Sequence, residues 1–299
     1  MKRSFKIKLV SIIIPVYNEE KVIGDCLKSL QNQRYNPIEI IFVDDGSTDQ
    51  TLKIITNLKF QPVLDRVETR SGISNFKLLH QEHRGPGPAR NLGASKAKGS
   101  VLVFVDADMT FDKDFIRDLI KPILDNKTIG TFSKNEMVAN KNNIWSICWN
   151  INRDVPKDRM LPLDYPNRAP VFRAILKKEF DKVEGFDTTG EYTDDWSLST
   201  KLGTKSTLAP GAIYFHSNPA SLGEVFKQAR WIGKNEFISG SALRKIRSFL
   251  LYSLPVSIFV GIIKSIARNQ LSFVIFKIVY DLGIFISVTK SFFGESKFK

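Results

Sequence analysis

The sequence predicts an α/β fold with a mostly parallel central sheet and flanking helices, and three observations lead to this prediction. Short apolar runs rich in Val, Ile and Phe alternate with helix-like stretches from Leu9 to about Asn126, a pattern typical of parallel βαβ units. Polar clusters follow the strand-like runs. The composition, with 42% hydrophobic and 25% charged residues, is that of an ordinary globular protein and not of a disordered or polytopic membrane protein.

Four strands and four helices are predicted in this region. The predicted strands cover residues 9–14, 38–43, 76–79 and 101–105. The first two predicted helices cover residues 22–31 and 51–58. A third begins near residue 88, and a fourth runs from about residue 112 to residue 126. Beyond them we expect a long connection over 60–75, an irregular segment over 131–165 and a strand over 208–215. Since the ligand crevice of open α/β sheets lies beyond the carboxyl ends of the strands, the polar clusters should converge on one site.

The cysteines and the first residues offer little chemistry of their own. Cys26 and Cys148 are far apart and match no metal or redox spacing, so we expect inert thiols in a reducing compartment. The apolar run near the start is short and has no small-residue cleavage site, which favours a buried strand over a signal peptide. No internal repeat or low-complexity tract is visible.

The first two predicted strands end in different polar motifs. Pro15-Val16-Tyr17-Asn18-Glu19-Glu20 is not a glycine-rich turn, which argues against a dinucleotide-binding site, although a proline and an aromatic could simply end the strand. The second strand ends in Asp44-Asp45-Gly46-Ser47-Thr48-Asp49. Within it, Asp49 is expected to cap the following helix, and Asp45 is the better candidate for accepting hydrogen bonds from a ribose or a base edge.

The next two motifs have the composition of a phosphate and metal site. Gly85-Pro86-Gly87-Pro88-Ala89-Arg90-Asn91 enters a helix, and the free amides there together with Arg90 favour a phosphate; the alternative is an ordinary loop with a surface arginine. Asp106-Ala107-Asp108 follows a charge-free strand. If the extended geometry continues, both aspartates share a face and repel unless Mg²⁺ or Mn²⁺, bridging to a diphosphate, lies between them. An isolated Asp-x-Asp is more often a turn or a cap.

These four motifs, in this order, resemble those of the family 2 glycosyltransferases, whose fold is the Rossmann-like GT-A type. The resemblance is closest over residues 9–126. It implies that Pro15, Tyr17 and Asp45 contact the base and ribose, with Glu19 among the nucleotide-binding candidates. It also implies that Arg90 approaches the nucleotide, that Asp106 serves ribose and metal, and that Asp108 binds the metal.

Farther along, Gly185-Phe186-Asp187 and Thr193-Asp194-Asp195-Trp196-Ser197-Leu198 look like the acceptor side of this family. By that resemblance Asp195 is the catalytic base, and Asp194, where many relatives carry Glu, is a substrate-binding candidate; one of the two could instead cap the helix. His216 is a candidate third metal ligand or a structural histidine. The segment Gln228-Ala229-Arg230-Trp231 resembles the Gln-x-x-Arg-Trp motif of processive synthases but is one residue shorter. Arg230 and Trp231 are therefore substrate-binding candidates, although Trp231 could belong to the core.

The tail suggests attachment to a membrane surface. The net charge is +13, and residues 241–299 alone hold nine Lys or Arg and two Asp or Glu, together with many Phe, Ile, Leu and Val. This mixture favours an anionic bilayer over nucleic acid. Residues 248–263 include Pro255, and residues 271–289 are interrupted by Lys277 and Asp281, so both are marginal as spanning helices. Helices lying in the cytoplasmic interface of the cell membrane are therefore expected, with a soluble helical hairpin as the alternative.

The sequence thus predicts a catalytic domain over residues 1–240 and a membrane-associating helical tail over 241–299. The expected reaction is an inverting transfer from a nucleotide-sugar donor, UDP- or GDP-linked, to a glycan or polyprenyl-lipid acceptor, assisted by Mg²⁺ or Mn²⁺. Three alternatives stay open: a polyprenyl-phosphate sugar synthase, a sugar nucleotidyltransferase, and a catalytically silent membrane-bound homologue.

Overall fold

The computed structural model describes residues 8–59, 73–188, 194–236 and 242–292. Its strands are β1 (Val10–Val16), β2 (Ile38–Asp44), β3 (Ile73–His80), β4 (Val101–Phe104), β5 (Met109–Phe111), β6 (Gly130–Phe132), β7 (Asn135–Val138), β8 (Arg168–Ala169), β9 (Ala174–Leu176), β10 (Ser206–Leu208) and β11 (Ile213–His216). Its helices are α1 (Ile23–Gln31), α2 (Thr51–Lys59), α3 (Pro86–Ser95), α4 (Phe115–Leu124), α5 (Ile144–Arg153), α6 (Lys177–Lys182), α7 (Asp194–Leu202), α8 (Leu222–Glu236), α9 (Ala242–Leu251), α10 (Leu254–Ala267) and α11 (Phe273–Phe292).

The central sheet has eight strands in the order β3-β2-β1-β4-β9-β6-β10-β8, and a smaller sheet has the order β5-β11-β7. Strands β3, β2, β1 and β4 are mutually parallel, as the sequence predicts. Strand β9 is antiparallel to both of its neighbours, β4 and β6, and β8 is antiparallel to β10. The α/β prediction is confirmed, and the parallel part of the sheet is the part that holds the four motifs.

Residues of β1 pack alternately against the two faces of the sheet, because successive side chains of a strand point to opposite sides. Ile12 and Ile14 belong to a core with Leu27 of α1 and Ile116 of α4. Ile13 belongs to a second core on the other face, with Val43, Phe104 and residues of α3. Burial on both faces explains why these strands are nearly continuous apolar runs.

Glu39, the second residue of β2, is charged and lies fully buried. Its carboxylate accepts hydrogen bonds from the Ser11 hydroxyl and from the amides of Lys98 and Gly99, and it lies 3.2 Å from the Lys77 Nζ. Burial alone would raise the pKa of Glu39, but these hydrogen bonds and the Lys77 charge outweigh it and lower the pKa. The carboxylate therefore joins β1, β2 and β3 to the loop before β4.

Replacing Glu39 with Ala should lower the free energy of unfolding by about 1–3 kcal/mol, because the Lys98 amide loses its acceptor, whereas the Gly99 amide keeps the Ser11 hydroxyl and Lys77 keeps the Lys96 carbonyl. Since the pKa of Glu39 is lowered by folding, its contribution is present above the ordinary glutamate pKa and is lost as the pH falls through the folded-state value. Urea unfolding at pH 7 and at acidic pH measures both effects. Glu82→Ala, at an exposed position, should change stability by less than about 0.5 kcal/mol; equal midpoints for the two variants would contradict this assignment.

Two predicted segments differ from the structure. Residues 131–165 are not irregular: they contain β6, β7 and α5, whose first turn is capped by the Asn143 side chain at 2.9 Å from the Trp145 amide. The predicted strand over 208–215 is two strands in different sheets, β10 and β11. A turn closed by the Ala212 amide on the Ala209 carbonyl separates them, and it contains Pro210 and Gly211, which are unsuited to a continuous strand.

The chain divides into two compact units. The first comprises Met1–Glu136 and Asp164–Phe215, and the second Met137–Leu163 and His216–Lys299. The core of the second unit includes Trp149 of α5, Val225 of α8 and Phe273 and Phe276 of α11. The predicted boundary near residue 240 stays a prediction.

The predicted apolar segment over 248–263 is interrupted in the structure, since α9 ends at Leu251 and α10 begins at Leu254. Pro255 lies in the first turn of α10, where a proline is tolerated because the amide it lacks would be unpaired there in any case. No helix among the described residues has both the length and the apolar character that crossing a membrane requires.

Candidate active site

The first two strand-end motifs are joined to each other by hydrogen bonds. Asn18 has a left-handed backbone, with φ 55°, which asparagine tolerates better than most residues. The side-chain oxygen of Asn18 accepts a hydrogen bond from the Thr48 backbone amide at 2.8 Å, and the backbone amide of Asn18 donates to the Ser47 hydroxyl at 3.1 Å. Next to it, the Glu19 amide donates to the Thr51 hydroxyl at 2.7 Å. The motifs after β1 and β2 therefore form one polar surface.

Asp49 lies at the start of α2, and its carboxylate accepts from the Thr51 amide at 2.9 Å. The capping role expected for Asp49 is confirmed. The Asp49 carboxylate also accepts a hydrogen bond from the Glu20 amide at 3.2 Å, so it stabilises the segment after β1 as well.

Asp45 has only 3% of its surface exposed, and its carboxylate organises the loop that follows β3. One oxygen accepts from the Gln81 side chain at 2.6 Å and from the Arg84 amide at 2.9 Å. The other accepts from the Gly85 amide at 2.8 Å and lies 2.9 Å from the His83 Nδ1. Direct contact between Asp45 and a nucleotide stays a prediction; in this conformation both oxygens serve the loop that leads into α3.

The candidate base-binding residue Tyr17 is stacked on His83, with 4.0 Å between ring centroids and 23° between the ring planes. Tyr17 has 42% of its surface exposed, so an aromatic face is offered to solvent beside Pro15. Sequence reasoning missed His83. The sequence signal for His83 was its position in the loop after a predicted strand. The stacking itself depends on the order of the sheet, in which only β2 separates β1 from β3.

Asp106 is held between two arginines. Its Oδ1 accepts from Arg90 Nη2 at 2.9 Å, and its Oδ2 accepts from Arg173 Nη1 at 3.0 Å. Arg90 comes from α3 and is buried, so the alternative of a surface arginine is wrong. Arg173 precedes β9, and its guanidinium carbon lies 5.7 Å from the centroid of the Tyr214 ring. No motif pointed to Arg173, because it reaches Asp106 through the antiparallel pairing of β4 with β9.

These contacts decide the charge of Asp106. Burial would raise its pKa, but the guanidinium groups of Arg173 and Arg90 outweigh burial and hold the pKa well below its usual value. Asp106 is therefore an anion throughout the physiological range. Nucleotide binding by Arg90 and Asp106 stays a prediction.

The geometry assumed for Asp106-Ala107-Asp108 is wrong, since β4 ends at Phe104 and the Met109 amide closes a turn onto the Asp106 carbonyl at 3.3 Å. Ala107 is buried and Asp108 is exposed. The negative charge is nevertheless concentrated here: besides burial, the carboxylates of Asp108, Asp106 and Glu19 raise the pKa of the Cys26 thiol.

These oxygen donors suit a hard divalent cation such as Mg²⁺ or Mn²⁺. Both oxygens of Asp106 accept from arginines, so a cation bound here would need further carboxylates. Asp108 and Glu19 are candidates because their charges act with that of Asp106 on the Cys26 thiol. Within the described residues, no group of three His, Cys, Asp or Glu side chains has the spacing of a metal site. The metal ligands therefore stay predictions.

Both cysteines are buried, and burial raises the pKa of each thiol, that of Cys148 to about 11. We expect neither thiol of the folded protein to react with Ellman's reagent between pH 7 and pH 9, because the thiolate is scarce and enclosed. Unfolding in guanidinium should release both. Absorbance at 412 nm checks this, and rapid labelling of the native protein would contradict it.

The expected acceptor motif is tied to α7. The Asp187 amide donates to the Ser197 hydroxyl at 3.2 Å, and the Asp187 carboxylate lies 2.7 Å from Lys201 Nζ. Asp194 and Asp195 are the first two residues of α7, where a helix favours negative charge. Their side chains lie outside the described residues, so their roles as substrate-binding residue and base stay predictions.

The three remaining candidates belong to the second unit. His216 is the last residue of β11, and its carbonyl accepts from the Ala139 amide at 2.9 Å. Arg230 and Trp231 are on α8 and are exposed, Trp231 by 46%, so the core alternative for Trp231 is wrong. Metal binding by His216 and substrate binding by the other two stay predictions.

A sheet whose parallel strand ends gather aromatic, acidic and guanidinium groups in one place defines an α/β protein with its candidate ligand site at the carboxyl ends of the strands. The particular family follows from comparison. The model of glycosyl transferase family 2 matches residues 11–183, and the chain belongs to this family. Its expected GT-A fold is confirmed.

Two relatives illustrate the match in sequence. The putative glycosyltransferase EpsH of Bacillus subtilis is 36% identical over 112 residues, which are 38% of this chain and 29% of EpsH. The poly-beta-1,6-N-acetyl-D-glucosamine synthase of Staphylococcus epidermidis is 27% identical over 232 residues, 74% of this chain and 53% of the synthase. The chain thus spans about a third to a half of these relatives.

Two solved structures share the fold over nearly the whole chain. The mannosyltransferase PcManGT from Pyrobaculum calidifontis, in complex with GDP-Man and Mn²⁺, has a TM-score of 0.57 and 18% identity, covering 95% of this chain and 90% of PcManGT. Residues 1–349 of S. aureus TarS, in complex with UDP-GlcNAc, have a TM-score of 0.54 and 16% identity, covering 97% and 93%. At these identities the likeness shows the fold alone.

Proposed function

We propose that this chain is an inverting glycosyltransferase that moves a sugar from a UDP- or GDP-sugar to a glycan or polyprenyl-linked acceptor at the cytoplasmic face of the cell membrane. The observation that carries the proposal is the surface at the ends of β1 to β4. It presents an exposed stacked aromatic pair, Tyr17 and His83, and a carboxylate held by two arginines, Asp106. These are the groups that a base, a ribose and a diphosphate require.

The donor is oriented by residues of the first unit. Tyr17 offers a stacking face to the base, and Asp45 fixes the loop that supports His83. Asp106, which lies between Arg90 and Arg173, accepts hydrogen bonds from the ribose hydroxyls. The two arginines add positive charge near the diphosphate. The complexes of PcManGT with GDP-Man and of TarS with UDP-GlcNAc support a nucleotide diphosphate as the leaving group.

The transfer needs a base and charge stabilisation. Asp195, near the start of α7, accepts the proton of the acceptor hydroxyl as its oxygen attacks the anomeric carbon and the nucleotide diphosphate leaves from the opposite side. Asp108 and Glu19 would hold a divalent cation, which would supply electrophilic stabilisation of the leaving diphosphate. Direct displacement by one nucleophile inverts the anomeric configuration.

Removal of the proposed metal ligand gives a direct test. Asp108→Ala should abolish Mn²⁺-stimulated transfer and weaken Mn²⁺ binding at least tenfold, because the cation loses a carboxylate ligand. Electron paramagnetic resonance of free Mn²⁺ measures binding independently of turnover. Asp25→Ala, which removes an exposed carboxylate of α1, is the matched control; unchanged Mn²⁺ affinity in Asp108→Ala would exclude this role.

The acceptor and location are supported by the C-terminal helices. Helices α9 to α11 expose many large apolar side chains, among them Leu250, Leu254, Phe259 and Ile266. Arg247 of α9 and Arg268, the residue after α10, are also exposed. Such surfaces bind in the plane of an anionic bilayer. A polyprenyl-linked acceptor would be presented in that same plane.

A donor screen tests the whole proposal. The purified chain is heated with UDP- and GDP-sugars, with and without Mn²⁺, and every stabilising donor is then assayed for transfer with membranes as the acceptor source. One donor should raise the melting temperature and be consumed with release of nucleoside diphosphate. Release of pyrophosphate from a nucleoside triphosphate would instead identify a sugar nucleotidyltransferase, and transfer to polyprenyl phosphate alone would identify a polyprenyl-phosphate sugar synthase. Absence of any nucleotide binding would identify a silent homologue.

A further inference from the structure

An apolar cavity of about 220 Å³ lies within the second unit, between the end of α9, the start of α10 and the middle of α11. It is lined by Phe249, Tyr252, Ser253, Leu254, Ser257, Ile278, Leu282 and Phe285. Cavities of about 150 Å³ with apolar walls already bind a molecule of the size of benzene. This cavity has room for a longer hydrocarbon group.

The cavity opens at side chains that are themselves exposed. Leu254 is 59% exposed, Leu282 is 49% exposed and Phe249 is 39% exposed, whereas Ser257 at the inner side is 1% exposed. The rings of Phe249 and Phe285 lie 4.6 Å apart and form one wall. An elongated apolar ligand can therefore enter from the surface and reach the buried side.

The charges next to the cavity are compensated within the protein. Asp281 is fully buried, lies 2.7 Å from Lys277 Nζ, and accepts from the Ser257 hydroxyl at 2.8 Å. The Lys277 ammonium also lies 5.8 Å from the centroid of the Tyr252 ring. Lys277 and Asp281, which interrupt the predicted apolar segment over 271–289, thus neutralise each other. A ligand in the cavity therefore needs no charged group to compensate them.

The surface around the cavity favours one kind of occupant. Exposed apolar side chains continue from the cavity along α9 and α10, including Leu250, Leu251 and Ile258. In residues 242–292 the sequence has seven Lys or Arg and a single acidic residue, Asp281. Lys277 pairs with Asp281, and Lys264 and Arg268 both pair with Asp154, so positive charge remains in excess. A partner that presents hydrocarbon together with negative charge is complementary to this surface, and an anionic lipid has both.

We propose that the cavity binds one hydrocarbon chain of an anionic membrane lipid whose head group meets the basic residues of these helices. The inference deepens the proposed membrane association and rests on it. A surface helix normally lies above the acyl chains; here one chain enters the protein and fixes the position of the helices in the lipid interface.

Substitutions on α11 separate cavity binding from surface binding. Ile278→Trp fills the cavity, and Ile275→Trp places the same side chain on the same helix at an exposed position that is not among the cavity-lining residues. The probe is cis-parinaric acid, a fluorescent fatty acid, added to the full chain without vesicles. The wild type and Ile275→Trp should bind one molecule saturably, and Ile278→Trp should bind at least tenfold more weakly.

Vesicles of phosphatidylglycerol provide the second measurement. All three proteins should sediment with them, since the exposed apolar face and the basic residues are unchanged apart from one side chain. Loss of sedimentation in all three, with probe binding intact, would refute the membrane proposal and leave the cavity assignment standing. Leu282→Phe narrows the mouth from an exposed position and replaces Ile278→Trp if that variant fails to melt cooperatively.

Three results would overturn the cavity assignment. The first is the absence of saturable probe binding by the wild type. The second is equal affinity in the cavity-filling and control variants. The third is a wild-type dimer, seen by light scattering without lipid, that becomes monomeric in Ile278→Trp, since a second copy of the chain would then occupy the cavity.

Discussion

Asp195→Asn is expected to lower kcat by roughly 10²–10⁴-fold, the range that general base catalysis contributes, while the Kd of the donor changes by less than about twofold. The amide is nearly the same size as the carboxylate but cannot accept the proton of the acceptor hydroxyl. Donor contacts are assigned to residues at the ends of β1 to β4, so donor binding should be preserved.

Single-turnover transfer and isothermal titration with the donor measure the two quantities separately. Asp164→Asn, at an exposed position in the first unit, controls for the general loss of a carboxylate and should leave both unchanged. Turnover within tenfold of the wild type would remove Asp195 from the mechanism. Loss of donor binding together with turnover would instead make it a donor-site residue.

Arg173→Ala is expected to lower kcat/KM by about 100-fold, equivalent to about 2.7 kcal/mol. Arg173 holds one oxygen of Asp106, and Arg90 holds the other. Without Arg173, the Asp106 carboxylate can turn away from the productive orientation. A displacement of a positioning group by about 1 Å can lower the rate by about 100-fold. The loss should appear mainly in the KM of the donor, because Asp106 is assigned to the ribose.

Arg173→Lys separates charge from geometry, since lysine keeps the positive charge but lacks the planar guanidinium group. This variant should bind the donor more tightly than Arg173→Ala and more weakly than the wild type. Arg168→Ala removes an exposed arginine of β8 and should leave donor KM unchanged. Melting temperatures show whether either variant is merely unstable. A fall in kcat with unchanged donor KM in Arg173→Ala would contradict a positioning role toward Asp106.

The sequence could predict the site where local pattern was sufficient. Asp49 caps α2 because its partner, Thr51, is two residues away. Likewise, β1, β2, β3 and β4 were predictable because apolar runs bounded by turn residues leave few alternatives. The convergence of the four motifs then follows from parallel pairing alone.

The partners of the charged residues could not be predicted in this way. Arg173 is 67 positions from Asp106 in the chain, and His83 is separated from Tyr17 by two strands and two helices. Lys277 and Asp281 lie four residues apart on one helix, but the Ser257 hydroxyl of α10, which donates to Asp281, is 24 positions away. Such contacts depend on strand order and helix packing, which no local pattern encodes.

By itself, the sequence determined the α/β class and the family resemblance, and it singled out the carboxylates and the arginine proposed for the donor side, because hydrophobic periodicity and short motifs are local properties. Only the tertiary structure decided what each charge does. It paired Asp106 with Arg90 and Arg173, gave both oxygens of Asp45 to the loop after β3, and placed a cavity among α9, α10 and α11. The physical reason is that desolvation makes each buried charge depend on its nearest partner, and that partner is set by packing between distant parts of the chain.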